Sequence, residues 1–192
     1  MPLFDPFPVL ETPRLRLRAL TSEDFDVFFR IQADLRVMRY SGRAPYTREQ
    51  CQEHLERIHA GIREGVSIRW GLTLRDTGEL IGTSGLWNWN KQHRWAETGY
   101  ELTPERWGKG YMPEALRAIC GYTFAHTDIH RIEARIDPEN TASARVLEKV
   151  GFVKEGVMRQ NWFFDGRFTD TPVYGLLRED LQAQHKDPNE EG

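Results

Sequence analysis

A short loop rich in glycine is the first part of the sequence whose residue types indicate chemistry. Gly108, Lys109 and Gly110 lie between a strand-like stretch that ends at Leu102 and a helix-like stretch that begins at Tyr111. Glycines at the start of a helix let the backbone approach a ligand closely, and the unpaired amides there, at the positive end of the helix dipole, bind phosphate. The loop therefore indicates a cofactor that contains phosphate, although strand-to-helix geometry alone would also favour a glycine-rich turn.

The spacing within this loop argues against two common nucleotide-binding motifs. A dinucleotide fingerprint needs a third glycine, where this sequence has Pro113. A Walker loop needs four residues between its glycines and a Ser or Thr after its lysine, and Gly108-Lys109-Gly110 has neither. A phosphate bound here therefore belongs to a different kind of cofactor.

A second segment, 30 residues further along, indicates which cofactor that is. Residues 137–152 read Asp-Pro-Glu-Asn-Thr-Ala-Ser-Ala-Arg-Val-Leu-Glu-Lys-Val-Gly-Phe. This segment resembles the closing motif of the GNAT acyl-CoA N-acyltransferases, and in particular the RimJ/RimL type, which acetylates the N-termini of ribosomal proteins and various other amines. Residues 107–112, Trp-Gly-Lys-Gly-Tyr-Met, resemble the pyrophosphate loop of the same superfamily, Gln/Arg-x-x-Gly-x-Gly/Ala. The resemblance extends over about residues 12–178.

The resemblance implies that acetyl-CoA is the co-substrate and that its acetyl group passes directly to a primary amine in a ternary complex. It implies that the Leu102 backbone polarises the acetyl carbonyl, as an N–H aimed at a developing oxyanion would. It also implies that Asn140 contacts the pantetheine arm, although Asn at the start of a helix is equally a common N-cap. The implied cofactor-binding set is Leu102, Trp107, Gly108, Lys109, Gly110, Tyr111, Met112 and Asn140.

Acetyl transfer to an amine requires a base for the amine proton. Glu97, Gly99 and Glu101 share one face of a strand by the period of two. The resemblance favours Glu97 as the base, acting through water, while a solvated ion-pair partner is the alternative reading of this carboxylate. Glu101 is the weaker candidate because it lies nearer the cofactor end of the strand.

The leaving thiolate needs a proton, and here the sequence departs from the family pattern. Leu147 occupies the position at which many members carry a Tyr that protonates the thiolate. Ser143 shares a helical face with Leu147 and is therefore the candidate acid, with small-residue packing as the alternative. Trp107 stands where Gln or Arg is usual and Met112 where a small residue is usual, but neither change removes a backbone donor to phosphate.

The acceptor is predicted to be an amine that lies near Trp87 and Asn88 at the end of a strand, although alternating tryptophans are also favourable strand packing. The α-amine of a protein N-terminus is the leading acceptor, because its pKa of about 7.7–8 leaves a useful neutral fraction at pH 7. A polyamine or an aminoglycoside is the first alternative. A non-catalytic protein that binds acyl-CoA as a sensor is the second.

The elements that position these residues follow from hydrophobic periodicity and turn residues. Strands are predicted at 15–20, 67–74, 80–89, 95–102, 131–136, 152–164 and 171–177, and helices at about 21–34, 47–64, 111–126 and 140–150. The order β-α-α-β-β-β-α-β-α-β-β predicts one α/β domain with a mixed, mostly antiparallel sheet flanked by helices. We expect this GNAT-like domain over 12–180, between an N-terminal extension at 1–11 and a polar tail at 181–192 that frays from 184 onward.

Composition and charge exclude several other classes of protein. The 192 residues are 39% hydrophobic, and no apolar run approaches the ~20 residues that a membrane span needs. Lys and Arg number 26 against 29 Asp and Glu, so no overall basic field attracts nucleic acid. Cys51 and Cys120 have no metal-ligand spacing and are interpreted as reduced thiols. With no secretory signal at the N-terminus, we expect a cytoplasmic enzyme. We expect it to use no metal and to contact neither membrane nor nucleic acid. The sequence leaves the oligomeric state undecided, with a homodimer among the alternatives.

Overall fold

An eight-stranded sheet organises the computed structural model, which describes residues 5–183. Its strands are β1 (Leu10–Glu11), β2 (Leu15–Ala19), β3 (Ile68–Leu74), β4 (Leu80–Asn90), β5 (Trp95–Leu102), β6 (Arg131–Arg135), β7 (Val153–Phe164) and β8 (Arg167–Leu177). The helices are α1 (Phe25–Ala33), α2 (Leu35–Met38), α3 (Arg48–Glu64), α4 (Tyr111–His126), α5 (Thr141–Val150) and α6 (Arg178–Ala183), with 3₁₀ turns at Ser22–Asp24 and Pro104–Arg106. No helix among the described residues is long and apolar enough to cross a membrane.

The strands lie in the order β1-β2-β3-β4-β5-β6-β8-β7, and every neighbouring pair is antiparallel except β5 and β6. Parallel neighbours need a long crossover connection, which α4 supplies between β5 and β6. The predicted fold class, a mixed and mostly antiparallel sheet flanked by helices, is confirmed.

The pairing of β5 with β6 is short, and this leaves an opening in the sheet. It runs only from Trp95 opposite Arg131 to Thr98 opposite Ala134, although β5 continues to Leu102. Residues 99–102 therefore have no partner strand on the β6 side within the described chain. We call this opening, between residues 99–102 and the chain that leaves β6, the wedge.

The two faces of the sheet carry different helices. On one face α4 and α5 bury a large apolar cluster against the strands, which includes Leu116, Ile119, Leu147 and Val150. On the other face α1 and α3 enclose a smaller cluster with Leu20, Phe28, Cys51, Leu55, Ile58 and Leu80. Along β5 the buried residues Ala96, Thr98 and Leu102 alternate with Glu97 and Glu101, so the two carboxylates lie on the α3 face.

Capping and turn signals in the sequence locate most element ends. Thr47 caps α3, because its hydroxyl accepts from Gln50 N while the Gln50 side chain accepts from Thr47 N. β8 begins four residues before its predicted start, because a tight turn with Asp165 and Gly166 at positive φ lets it pair with β7 directly from the turn, opposite Phe164.

The short elements β1, α2 and α6 were not predicted, because so few residues cannot display a period. Leu10–Glu11 falls in the predicted N-terminal extension and pairs with β2. Residues 184–192, predicted to fray, lie outside the described residues.

Candidate active site

The glycine loop precedes α4 in a conformation that glycine favours. Gly108 and Gly110 have φ of 72° and 80°, in the left-handed region. Gly110 is the N-cap of α4, and the first intrahelical bond runs from Glu114 N to Gly110 O at 3.3 Å. The amides of Gly110, Tyr111 and Met112 precede that bond, so they are free of intrahelical partners and available to a phosphate.

Arg14, just before β2, braces this loop from a distant part of the chain. Its guanidinium donates to Lys109 O at 2.8 Å and lies 4.4 Å from the centre of the Tyr111 ring. It also pairs with Glu114 in the first turn of α4, at 2.6 Å. Sequence reasoning missed Arg14, because nothing local relates it to a loop 95 residues away.

Glu114 ties the same turn to the start of β2. Its carboxylate accepts from Thr12 Oγ1 at 2.6 Å and from Arg14 N at 2.9 Å. Burial alone would raise the pKa of Glu114, but the hydrogen bonds from Thr12 and Arg14 outweigh it, so the pKa lies below its ordinary value. The carboxylate is therefore charged at neutral pH and holds Arg14 in position.

Trp107 connects the loop to the end of β5. Its indole Nε1 donates to Leu102 O at 2.8 Å. Thr103 N donates to Ile81 O in the opposite direction, toward β4. Because successive peptide groups of a strand alternate in direction, the Leu102 N–H points into the wedge. Trp107, which departs from the family pattern, therefore has a structural role at the wedge.

Asn140 and Ser143 lie at the start of α5, which borders the wedge on the other side. Asn140 Oδ1 accepts from Ser143 N at 3.0 Å, so this side chain is an N-cap. Ser143 Oγ lies 2.8 Å from the phenolic oxygen of Tyr100, a residue that sequence analysis did not single out. Leu147 is fully buried in the core one turn further along.

Glu97 lies on the opposite face of the sheet from Ser143. Its carboxylate accepts from Trp87 Nε1 at 3.3 Å and pairs with Arg135 at 3.4 Å. A Cβ at Gly99 would lie 2.5 Å from the Trp87 ring, so glycine there allows Trp87 to lie across β5. Only 14% of the Glu97 side chain is exposed, so Trp87 and Arg135 hold it in a defined position.

Glu101, the weaker candidate base, is an ion-pair partner in this structure. It pairs with Arg69 at 2.6 Å and accepts from Thr83 Oγ1 at 2.8 Å. Burial acts to raise the pKa of Glu101, but the charge of Arg69 and these hydrogen bonds outweigh burial and lower it. Such a carboxylate is a weak proton acceptor.

A cavity of about 290 Å³ lies beside these groups, between α3 and the sheet. It is lined by His54, Arg57, Ile58, Ser67, Ile68, Arg69, Leu86 and Trp87. Burial, with repulsion from Arg69 and other cations, lowers the pKa of His54 to about 4, so this ring is neutral at pH 7. Asn88, the other residue predicted to lie near the acceptor amine, is exposed at a β-bulge with φ of 50° and does not line the cavity.

Comparisons with known proteins identify the family of this chain. Residues 14–153 match the model of the acetyltransferase (GNAT) domain. The chain is 40% identical over 173 residues to the uncharacterized N-acetyltransferase YoaA of Bacillus subtilis, spanning 90% of this chain and 98% of that one. It is 29% identical over 166 residues to spermidine N(1)-acetyltransferase of Vibrio cholerae, spanning 86% and 94%.

A solved structure gives the same assignment. RimJ of Mycobacterium smegmatis, in complex with CoA-disulfide, superposes with a TM-score of 0.80 at 25% identity and covers 91% of this chain and 88% of that one. The resemblance drawn from the glycine loop and the closing motif is thereby confirmed. The chain belongs to the GNAT family of N-acetyltransferases and is an acyltransferase.

Proposed function

We propose that this enzyme transfers the acetyl group of acetyl-CoA to the α-amine of a protein N-terminus. The observation that carries the proposal is the charge of the acceptor face. Its carboxylates have arginine partners: Glu101 pairs with Arg69, and Glu97 pairs with Arg135, which also pairs with Glu133 at 2.9 Å. The adjacent cavity is lined by Arg57 and Arg69 and by no Asp or Glu of the described chain. A polyamine with several ammonium groups would meet cations there, whereas a peptide end carries one amine.

The binding of acetyl-CoA is supported by the loop and the wedge together. The amides at the start of α4 and the side chain of Lys109 would hold the pyrophosphate. The pantetheine arm would then run along the wedge past Asn140. The Leu102 N–H, which points into the wedge, would donate to the acetyl oxygen as negative charge develops on it.

The proposed chemistry needs only a modest base. An α-amine has a pKa of about 7.7–8, so part of it is neutral at pH 7. Glu97, which Trp87 and Arg135 hold in place, would accept the remaining proton through a water molecule. On the other face, Ser143 would donate to the sulfur of the leaving thiolate. The two groups lie on opposite faces of the sheet, and the wedge would be the passage through which the reacting atoms meet.

Exposed aromatic residues give independent support for a protein acceptor. Trp162, Phe163 and Phe168 on the β7–β8 hairpin are 50–63% exposed, and Trp162 Nε1 donates to Gly42 O in the loop before α3. Exposed apolar patches of this kind mark surfaces that bind proteins. A protein acceptor can bury apolar side chains against such a patch, and a free polyamine has none.

A panel of acceptors tests the proposal by measuring release of free CoA thiol. We expect turnover with peptides that begin with Ser or Ala, and little with spermidine or an aminoglycoside. The matched control is the same peptide with a blocked N-terminus and an internal Lys. Cys51 and Cys120 are buried and free, and burial raises the pKa of both thiols, that of Cys51 to about 11, so the folded enzyme adds little background to a thiol reagent.

A small polyamine is the second candidate acceptor. The observation that favours it is the identity to a spermidine N(1)-acetyltransferase along most of both chains. Faster turnover of spermidine than of every peptide would replace the first proposal with this one. Binding of CoA without turnover of any acceptor would instead favour a sensor.

A further inference from the structure

Tyr100 bridges the two sides of the wedge. It lies on β5 two residues beyond Thr98, where the pairing with β6 ends. Its phenolic oxygen lies 2.8 Å from Ser143 Oγ and 3.3 Å from Ser143 O at the start of α5. The two residues are 43 positions apart in the chain, and their contact joins elements that the open wedge otherwise separates.

A serine hydroxyl cannot act as an acid toward a thiolate by itself. If Ser143 gave its hydrogen to sulfur and received none, it would become an alkoxide, which is far more basic than a thiolate. Ser143 therefore acts on the sulfur as a hydrogen-bond donor, and a second donor to Ser143 Oγ would direct and strengthen that bond. Tyr100 is the hydroxyl within reach of Ser143 Oγ, whereas Leu147, at the position of the usual family Tyr, has no polar atom to offer.

We propose that Tyr100 is a positioning residue that donates to Ser143 Oγ and thereby directs the Ser143 hydroxyl hydrogen toward the sulfur during acetyl transfer. This inference rests on the proposed role of Ser143. As the C–S bond breaks, its electron pair stays on sulfur, and the Ser143 hydroxyl donates a hydrogen bond to that sulfur while Tyr100 donates to Ser143 Oγ. CoA leaves as the thiolate, which takes its proton from solvent, and the proton lost by the amine reaches solvent through Glu97, so the overall reaction balances.

The surroundings keep both partners in the required state. Burial raises the pKa of Tyr100 well above its ordinary value, although the hydrogen bond to Ser143 opposes this, so the phenol remains a donor at neutral pH. The N-cap bond from Ser143 N to Asn140 Oδ1 fixes the start of α5. With Tyr100 as donor, the Ser143 hydrogen is free to point toward the sulfur.

The test compares Tyr100→Phe, Ser143→Ala and the double variant for kcat, for KM of acetyl-CoA and for the Kd of CoA by calorimetry. We expect each single change to lower kcat by about 10- to 100-fold, the effect of losing one buried hydrogen bond. The Kd of CoA should change by less than about twofold, because the two hydroxyls act on the sulfur as charge develops on it in the transition state. The double variant should be no slower than the slower single variant, since both changes break one chain of hydrogen bonds.

Tyr122→Phe is the matched control, because it removes a hydroxyl from a half-buried tyrosine on α4 and keeps the ring stacked on His126. Its kcat should equal that of the parent. Multiplied losses in the double variant, an unchanged kcat for Tyr100→Phe, or a Kd that weakens as much as kcat falls would each overturn the proposal. The slow hydrolysis of acetyl-CoA by water breaks the same C–S bond without an amine. Measuring it alongside therefore tests Tyr100 even if the α-amine acceptor is wrong.

Discussion

Replacing Arg14 by Ala removes the brace that holds the glycine loop against β2. The variant loses the hydrogen bond to Lys109 O, the pair with Glu114 and the cation over the Tyr111 ring. None of these groups lies on the acceptor face or beside Ser143. We therefore expect Arg14→Ala to weaken CoA binding while kcat at saturating acetyl-CoA changes little.

The size of the effect follows from the exposure of Arg14, whose side chain is 45% exposed. At such exposure the ion pair with Glu114 contributes about 0–1 kcal/mol, and the contact with the Tyr111 ring about 0.5–1 kcal/mol. The charged hydrogen bond to Lys109 O, which acts directly on the loop, contributes about 1.5 kcal/mol at the low end of its range. If most of this stabilisation of the loop must instead be supplied by the free energy of CoA binding, the Kd rises by about 10- to 50-fold, at about 1.4 kcal/mol for each factor of ten.

Titration calorimetry with CoA measures the effect directly, with a thermal melt of each variant as the check on folding. Arg14→Lys keeps the charge but lacks the planar fork, so its Kd should lie between those of the parent and the Ala variant. Arg16→Ala is the control, because this exposed neighbour on β2 pairs only loosely with Glu11, at 3.9 Å. An unchanged Kd for Arg14→Ala, or an equal rise for Arg16→Ala, would refute the argument that Arg14 organises the loop.

Three further predictions concern single residues. Glu97→Gln should lower the rate at pH 7 by about 10²–10⁴-fold, and this loss should shrink as the pH rises toward the acceptor's own pKa. A variant as fast as the parent in pH-rate assays would show that Glu97 serves only as an ion-pair partner. Gly110→Val, at φ of 80°, should weaken CoA binding in calorimetry by about 5- to 150-fold, whereas Gly166→Val, equally strained at φ of 73° in the turn of the β7–β8 hairpin, should lower the melting temperature alone. Because the pKa of His54 falls to about 4 on folding, the unfolded chain binds the extra proton as pH drops below about 6.5, so the melting temperature should fall between pH 6.5 and 4. His54→Phe should flatten that slope in melts over this range, and an unaltered slope would assign it to other groups.

The sequence by itself determined the parts of the protein that depend on local order. Strands and helices are indicated by hydrophobic residues that recur with periods of two and 3.6. Thr47 with Gln50 marks a helix start because capping involves residues three apart. The glycine loop before α4 and the closing motif at 137–152 are also contiguous, so family, cofactor and fold class could all be predicted from them. The short β1, α2 and α6 could not, because they contain too few residues for a pattern to stand out.

The tertiary structure alone decided which partner each site residue has. Glu97 and Glu101 look equivalent on one face of a strand, yet one pairs with Arg135 and lies under Trp87 while the other pairs with Arg69. Likewise, a tyrosine on β5 meets a serine 43 residues later. Such contacts depend on which strands become neighbours and on where the pairing of β5 with β6 ends. That choice is made by burial of the whole core, and no stretch of neighbouring residues records it.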